Sequence, residues 1–329
     1  MTDEADPWSV SATDFPDDGS REAQFEFLVR YAILAPSSHN SQPWRFAVDD
    51  RGVDVYADEE RRLPVADADR REWYLSVGCA LENLLVAAEE FGFDHEVAYF
   101  PDGDAHVARV VLSPGGSRST LRGGLFGALT ERSTNHGPYY GSVPEATMER
   151  MEAAVVDADL WARFVEDERT KVAVGELVTR ADRRQFEDPD YRRELGEWIG
   201  NGALATSWLK AKLGQLAVTH LDLGDRQAGT DSVLVESAPA VVVLGSGADT
   251  PTAQVRTGQT FERLALLATT EGLSVHPMSQ ALQLSDLRGE LAETLGVGDE
   301  GVVQHLFRLG HADPEGGRSS RRPLATVVD

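Results

Sequence analysis

The sequence predicts an α+β fold of two related halves, each carrying a small, mostly antiparallel sheet packed by helices. Three observations point there. Short alternating runs come in pairs across tight turns, as in WRFAVDD and VDVYAD around Arg51-Gly52, which is how half-buried hairpin strands read. Longer runs with apolar residues at helical spacing separate these pairs. The two longest helical runs also align at an offset of 180 without a gap: Gly78, Glu82, Leu84, Ala88 and Gly92 meet Gly258, Glu262, Leu264, Ala268 and Gly272. Amphipathic helices can coincide by chance, but both runs end on glycine and lead into strand-like segments, which favours duplication. A weaker match pairs YAILAPSSHNSQPWRFAV with AAVVDADLWARFVE, the second copy lacking part of the loop.

Residues 1–20 are rich in Asp, Ser and Pro without apolar periodicity, and are expected to be a disordered acidic lead-in. Segment 21–35 sets Phe25, Leu28, Val29, Ala32 and Ile33 on one helical stripe and halts at Pro36. After the first hairpin, 69–92 reads as a long helix ending at Gly92. Strands near 95–100 and 107–112 then meet at the Pro101-Asp102-Gly103-Asp104 turn. SPGGSRS at 113–119 is the expected linker, dividing a first half, 21–116, from a second, 117–329. In the second half, helices are expected at 120–131, 144–157, 168–186 and 252–272, with looser helical character over 188–220. LWARFV, Val241–Leu244 and Val302–Leu309 read as strands. Segment 181–232 has no counterpart in the first half and is read as an insertion.

With 31 basic against 55 acidic residues the net charge is −24, which excludes a general nucleic-acid binder. Only Lys171, Lys210 and Lys212 are lysines, and the acids are spread along the whole chain, as in a salt-adapted protein. Concentrated salt shortens the Debye length to about 3 Å at 1 M and removes the self-repulsion of such a surface, so stability should depend on salt. No stretch approaches the roughly 18 apolar residues of a membrane span, and the N-terminus is acidic where a signal peptide is basic. A cytoplasmic protein without membrane contact is expected. Cys79 is the only cysteine, which excludes intrachain disulfides and a cysteine zinc cluster, and no metal is expected. In mid-helix, Cys79 reads as buried packing.

Common catalytic signatures are missing: there is no HExxH, GxSxG, GxxxxGK[ST] or CxxC. Gly245-Ser246-Gly247 lacks the third glycine of a dinucleotide loop and reads as a strand-end turn. Ala35–Trp44 brings Pro36, Ser37, Ser38, Asn40 and Gln42 together between a helix and a strand. This is either a capped loop or a set of pre-organised donors and acceptors suited to a flat heteroaromatic ring. Arg132, Thr134 and His136 alternate and, on extended backbone, would share one face as a phosphate clamp. Arg318, Arg321 and Arg322 form a local basic patch or a solvated tail. Pro277, Met278, Ser279 and Gln280 follow the second long helix and mean nothing alone.

At these residues a family resemblance appears. APSSHNSQPWRF resembles the APSxxNxQPWxF signature of the FMN-dependent nitroreductase family, and RSTNHGPYYGSVPEATMERMEAA resembles that family's opening segment. With GxxxENLLxAAxxFG, RxGQxxERLxLxATxxGL and the terminal RRPLxxVV, the resemblance covers nearly all of 21–328. It is nearest to the Acg-like branch, which shares the DPxYRxEL segment seen at Asp188–Leu195. Ordinary members use the opening of one subunit and the loop of its mate at each flavin site. Here the first half has only the loop and the second only the opening, so the resemblance implies a nitroreductase-like fold fused into an intrachain pseudo-dimer with one complete FMN site.

By that carry-over Arg132, Thr134 and His136 hold the phosphate with Arg321 or Arg322. Pro36, Ser37, Ser38, Asn40 and Gln42 reach the flavin from the first half, and Pro277 to Gln280 face the ring's N5 edge. His136 departs from the usual Arg or Lys, so phosphate affinity should weaken as the imidazole deprotonates. The insertion would be a lid over the flavin, with Trp198 and Trp208 as covers. The implied activity moves hydride from NAD(P)H through flavin to a small nitro or quinone-like acceptor, with no catalytic residue named. The rival is a protein that sequesters FMN under a closed lid. A monomer is expected.

Overall fold

The computed structural model describes residues 6–116, 119–200, 231, 233–298, 301–315 and 317–329. In the first half, helix α1 (Arg21–Ala32) leads into hairpin β1 (Trp44–Asp49) and β2 (Gly52–Ala57). The long helix α2 (Arg71–Glu90) and the pair β3 (Phe93–Tyr99) and β4 (His106–Pro114) follow. Ser20 starts α1 by accepting the Ala23 N–H, as an N-cap serine does. The four strands form an antiparallel sheet in the order β1-β2-β4-β3.

The second half repeats that plan with additions. After a single turn, α3 (Ala128–Glu131), come β5 (Tyr139–Tyr140), α4 (Glu145–Ala153) and β6 (Leu160–Val165). Helices α5 (Glu168–Glu187) and α6 (Pro189–Gly200) precede β7 (Ala240–Ser246) and the second long helix, α7 (Pro251–Thr270). Strand β8 (Ser274–Pro277), helix α8 (Ser285–Thr294) and β9 (Val302–Ala312) complete it. Leu309 of β9 pairs with Ala240 of β7 on one side and Val275 of β8 on the other, so the strands run β6-β7-β9-β8, all antiparallel. This is the order of the first sheet with β6, β7, β8 and β9 in place of β1, β2, β3 and β4. Strand β5 meets the end of β9.

The two long helices cross at their aligned glycines. A Cβ on Gly78 would lie 2.1 Å from the Val255 carbonyl oxygen, and one on Gly258 would lie 2.0 Å from that of Leu75. Exchanging each residue for its counterpart 180 positions away turns the first contact into the second, so the crossing carries a two-fold relation. Only glycine permits that approach. Around it one apolar core draws on both halves, including Phe25, Trp44 and Leu81 from the first and Leu264 and Phe307 from the second. A smaller core lies under α5 and α8.

Several expectations change. The lead-in is not disordered over its described part: Pro7–Ser9 and Ala12–Asp14 form 3-10 turns. Phe15 stacks on Phe91 at 4.3 Å, and the Trp8 indole N–H donates to the Ser319 carbonyl at 2.9 Å. Two aromatic residues offset the ordering of an otherwise polar segment. The helix expected over 120–131 shrinks to 128–131, because Gly123, Gly124 and Gly127 favour turns. The C-terminus returns to the first half, where the Phe46 N–H donates to the Val327 carbonyl and the Asp329 N–H to that of Phe46. Of the expected insertion, α5 and α6 are described to Gly200, whereas Trp208 and residues 201–230 lie outside the described residues.

Candidate active site

A cavity of about 450 Å³ opens beside the helix crossing and is lined by both halves. That volume falls within the range of small-molecule and cofactor sites. Its first wall is the loop after α1. His39, Asn40 and Gln42 hold φ near +50°, a conformation costly for non-glycine residues and fixed here by a dense set of bonds. The Ser37 hydroxyl accepts the Gln42 N–H at 2.9 Å, and Ser76 accepts the Ser38 N–H at 3.2 Å. The Asn40 amide donates to the Ser320 carbonyl at 3.0 Å and accepts from Arg321 at 3.1 Å, tying the loop to the C-terminal arm.

Helix α2 forms another wall. Glu72, Leu75, Ser76 and Cys79 all line the cavity, and the i, i+3, i+4, i+7 spacing places them on one helical face. Burial pushes the Cys79 thiol well above its ordinary pKa, and its S–H donates to the Gly258 carbonyl at 3.3 Å, so it stays an inert thiol. Glu72 is buried and accepts the Ser38 hydroxyl at 3.0 Å.

The second half contributes the opening segment, the end of β8 and the C-terminal arm. Thr134 bridges to Val275 in parallel fashion, which extends the backbone there and sets Arg132, Thr134 and His136 along the cavity. Arg132 is already committed: Nε lies 3.3 Å from Glu262, and a terminal nitrogen donates to the Leu34 carbonyl at 3.2 Å. Burial raises Glu262 to about 7 against the pull of Arg132 and Arg321. Arg321 donates to the same Leu34 carbonyl at 3.0 Å, and burial together with Arg132 lowers it to about 9. Trp8 covers Arg321, with its ring 4.7 Å from the guanidinium. His136 stands 3.3 Å from Glu315, and its ring meets His276 edge-on at 4.6 Å.

Of the residues singled out in the sequence, Pro36, Ser37, Ser38, Asn40, Arg132, Thr134, His136, Pro277, Ser279, Gln280 and Arg321 meet at this cavity. Three do not line it. Met278 is 1% exposed and packs in the core under α5 and α8. Gln42 and Arg322 line an adjoining cavity, where Gln42 Oε1 accepts the Arg322 N–H at 2.7 Å. The Arg322 guanidinium donates to the carbonyls of Gln42, Trp44 and Thr326. It therefore pins the C-terminal arm to β1. Trp198 also lines that second cavity, under the Arg61 guanidinium at 5.0 Å.

Sequence reasoning missed Trp8, Glu72, His276, His305 and Glu315, all on the cavity wall. Only Glu72 left a signal, as an acid on a helical face whose other members are Leu75, Ser76 and Cys79. The rest are brought in by tertiary contacts between distant segments.

The matching face of α7, offset by 180, bears Val255, Arg256 and Gln259 and is filled. The Tyr99 hydroxyl donates to Gln259 at 2.7 Å, and Arg256 lies 5.0 Å over the Tyr99 ring. Nearby, Arg122 and Arg263 each fork onto Glu82, at 2.9 and 3.1 Å and at 2.8 and 3.0 Å. At the counterpart acid, Glu262, Asn83 replaces the second arginine; with its amide turned to suit both neighbours it donates to Glu262 at 3.0 Å.

No family model matches the chain. Among curated proteins it is 29% identical over 317 residues to a putative NAD(P)H nitroreductase of Mycobacterium tuberculosis, covering 92% of this chain and 90% of that one. The chain is similar to putative NAD(P)H nitroreductases. The putative NAD(P)H nitroreductase acg of the same organism is 26% identical over 312 residues, covering 91% of this chain and 93% of acg. An uncharacterized M. tuberculosis protein is also 26% identical, over 317 residues and 91% of each chain. Among solved structures, the FMN and NADPH-dependent nitroreductase NfnB of a Sphigopyxis strain aligns with TM-score 0.45 and 19% identity, over 62% of this chain and 97% of NfnB. Iodotyrosine deiodinase, bound to FMN and 3-iodo-L-tyrosine, aligns with TM-score 0.45 and 15% identity, over 60% of this chain and 95% of that one.

Proposed function

We propose that this chain is an FMN-dependent oxidoreductase of the nitroreductase type, a fused pseudo-dimer with one complete flavin site, that carries hydride from NAD(P)H to a small organic acceptor. The observation that carries the reading is the meeting of the 36–40 loop with the 132–136 segment, Pro277, Ser279, Gln280 and Arg321 around one cavity. The resemblance assigns those segments to opposite subunits of an ordinary family member, and the repeated strand order and the glycine crossing suit two fused halves.

The residues fit the cofactor. Buried Arg321 Nε and His305 Nε2 have no hydrogen-bond partner among the described residues, so the cavity wall keeps polar capacity for a ligand. Thr134, His136 and Arg321 would hold the phosphate, with Arg132 adding field while paired to Glu262. Ser37, Ser38 and Asn40 would meet the ring and ribityl chain. FMN would supply the two-electron chemistry when bound, and the protein supplies position, charge and exclusion of water. The plugged face around Tyr99 supports one site instead of two. Because both walls come from one chain, a monomer suffices.

The test is an anaerobic visible spectrum of FMN-reconstituted protein in molar salt, freed of unbound flavin, before and after NAD(P)H. Retained flavin that bleaches is the expected result. Retained flavin that stays oxidised would make the protein a flavin-sequestering one, and no retained flavin would refute the site. Arg321→Ala with Thr134→Ala should lose flavin in the same measurement.

A further inference from the structure

Glu72 is the feature of the cavity that cofactor binding does not require. Its side chain is 4% exposed, yet it stands on the α2 face that walls the cavity. One oxygen, Oε2, accepts the Ser38 hydroxyl at 3.0 Å, while Oε1 has no hydrogen-bond partner among the described residues. The Ser279 hydroxyl lies against the same carboxyl and 3.4 Å from His305 Nδ1.

The charged and titratable groups around it come from every neighbouring element. On α2 itself, Arg71 Nε is 3.9 Å from Oε1, and its terminal nitrogen is drawn away to the Leu282 carbonyl at 2.7 Å. From the turn before α2, Asp67 accepts the Glu72 backbone N–H at 3.0 Å and is itself raised to about 7 by burial and by Glu72, while Asp69 adds negative charge. From β9, His305 is held neutral, pushed down to about 3 by burial and by Arg71. Burial outweighs Arg71 and the serine hydroxyls, and the Glu72 carboxyl is held above its ordinary range. Held up in this way, the carboxyl keeps a proton more readily than an exposed glutamate does.

We propose that Glu72 is a proton-donating catalytic residue for the acceptor bound in this cavity. An acceptor that receives hydride gains one hydrogen and an electron pair, and needs one proton to become neutral product. The Glu72 O–H bond breaks, its electrons stay on the carboxylate, and the proton bonds to an oxygen of the reduced acceptor, on the nitro group itself or on the quinone. NAD(P)H is the reductant, and the carboxylate recovers its proton from water. This role rests on the oxidoreductase reading above, whereas the protonation state of Glu72 does not.

Glu72→Gln keeps the shape and removes the acid, and two measurements read it. In the infrared, the ligand-free wild-type protein at pH 7 should show a carboxylic-acid C=O band that shifts in D₂O and is missing from Glu72→Gln. Identical spectra would mean an ionised Glu72 and overturn the proposal, whether or not the protein binds FMN. In stopped-flow work on the FMN-loaded protein, Glu72→Gln should slow oxidation by a nitro or quinone acceptor by about 10²-fold or more. It should also abolish that step's solvent isotope effect, with reduction by NAD(P)H slowed far less. Equal slowing of both steps, or loss of flavin from the variant, would make Glu72 structural and overturn its catalytic role. A wild-type protein that holds no flavin would defeat the oxidoreductase reading, and the infrared band alone would then decide the acid.

Discussion

Placing a single methyl group at the helix crossing tests the central feature of this molecule. In an unobstructed helix, Gly→Ala stabilises by about 0.5–1 kcal/mol, because alanine has less conformational entropy to lose. At Gly78 the new Cβ would stand 2.1 Å from the Val255 carbonyl oxygen, where real Cβ atoms keep at least 3.0 Å. The obstructing atom is backbone, so no rotamer relieves it, and α2 and α7 must separate by about an ångström within a close-packed core. Overpacking of this kind costs about 1–3 kcal/mol or more, and with the helix gain deducted a net loss of about 1–2 kcal/mol is expected. For a chain of 329 residues each kcal/mol lowers the melting temperature by about 1.5 °C. Gly258→Ala, with its Cβ 2.0 Å from the Leu75 carbonyl oxygen, should cost the same. Helices parted by one alanine leave room for the other, so the double variant should lose less than the sum of the two. Urea denaturation is the assay of choice, since guanidinium is itself a salt and this chain carries a net charge of −24. Either single variant matching or exceeding the wild type in stability would refute the crossing, and strict additivity would refute the shared contact.

Other consequences concern charge. Burial alone would raise the Glu82 carboxyl, but Arg122 and Arg263 overcome it and hold it at about 2. The stability this gives is present above the ordinary carboxylate range and lost as pH falls toward 2. Glu82→Gln should thus cost about 3–5 kcal/mol at pH 7, by leaving two guanidiniums short of their counter-charge, and flatten the acid limb of the stability curve. Glu262 has the opposite sign: raised to about 7, it contributes stability below the ordinary carboxylate range that is lost as pH climbs through 7. Urea midpoints between pH 5 and 8 should fall more steeply for the wild type than for Glu262→Gln. The melting temperature should rise from dilute buffer to molar KCl, and a flat response would rule out screening of acidic self-repulsion.

Much of the fold is legible in the sequence because its signals are local. The hairpin around Arg51-Gly52, the stop of α1 before Pro36 and the ends of both long helices follow from turn chemistry and apolar spacing. The offset of 180 also singles out the two glycines that later meet. The lead-in reads as disordered because Trp8 and Phe15 are isolated apolar residues whose partners, Ser319, Arg321 and Phe91, lie far along the chain. In the run 120–131 helical spacing competes with three glycines, and turns prevail.

The candidate site divides in the same way. Motif and composition alone select the Ser37, Ser38 and Asn40 loop, the Arg132 to His136 strip and Arg321, since each is a compact polar run set against an apolar background. Sequence cannot say which of their atoms remain available, because that depends on partners supplied by distant segments. Arg322 is consumed by the carbonyls of Gln42, Trp44 and Thr326, and Met278 turns into the core. Arg132 is half neutralised by Glu262, a residue 130 positions away. The sequence by itself determined the first hairpin, the two long helices with their aligned glycines and the sign of the surface charge, all of which depend on local patterns or on sums. Only the tertiary structure decided that one face of the paired helices is plugged by Tyr99 while the other holds the cavity and a buried Glu72 whose carboxyl burial holds above its ordinary range, because packing and desolvation arise from the three-dimensional arrangement.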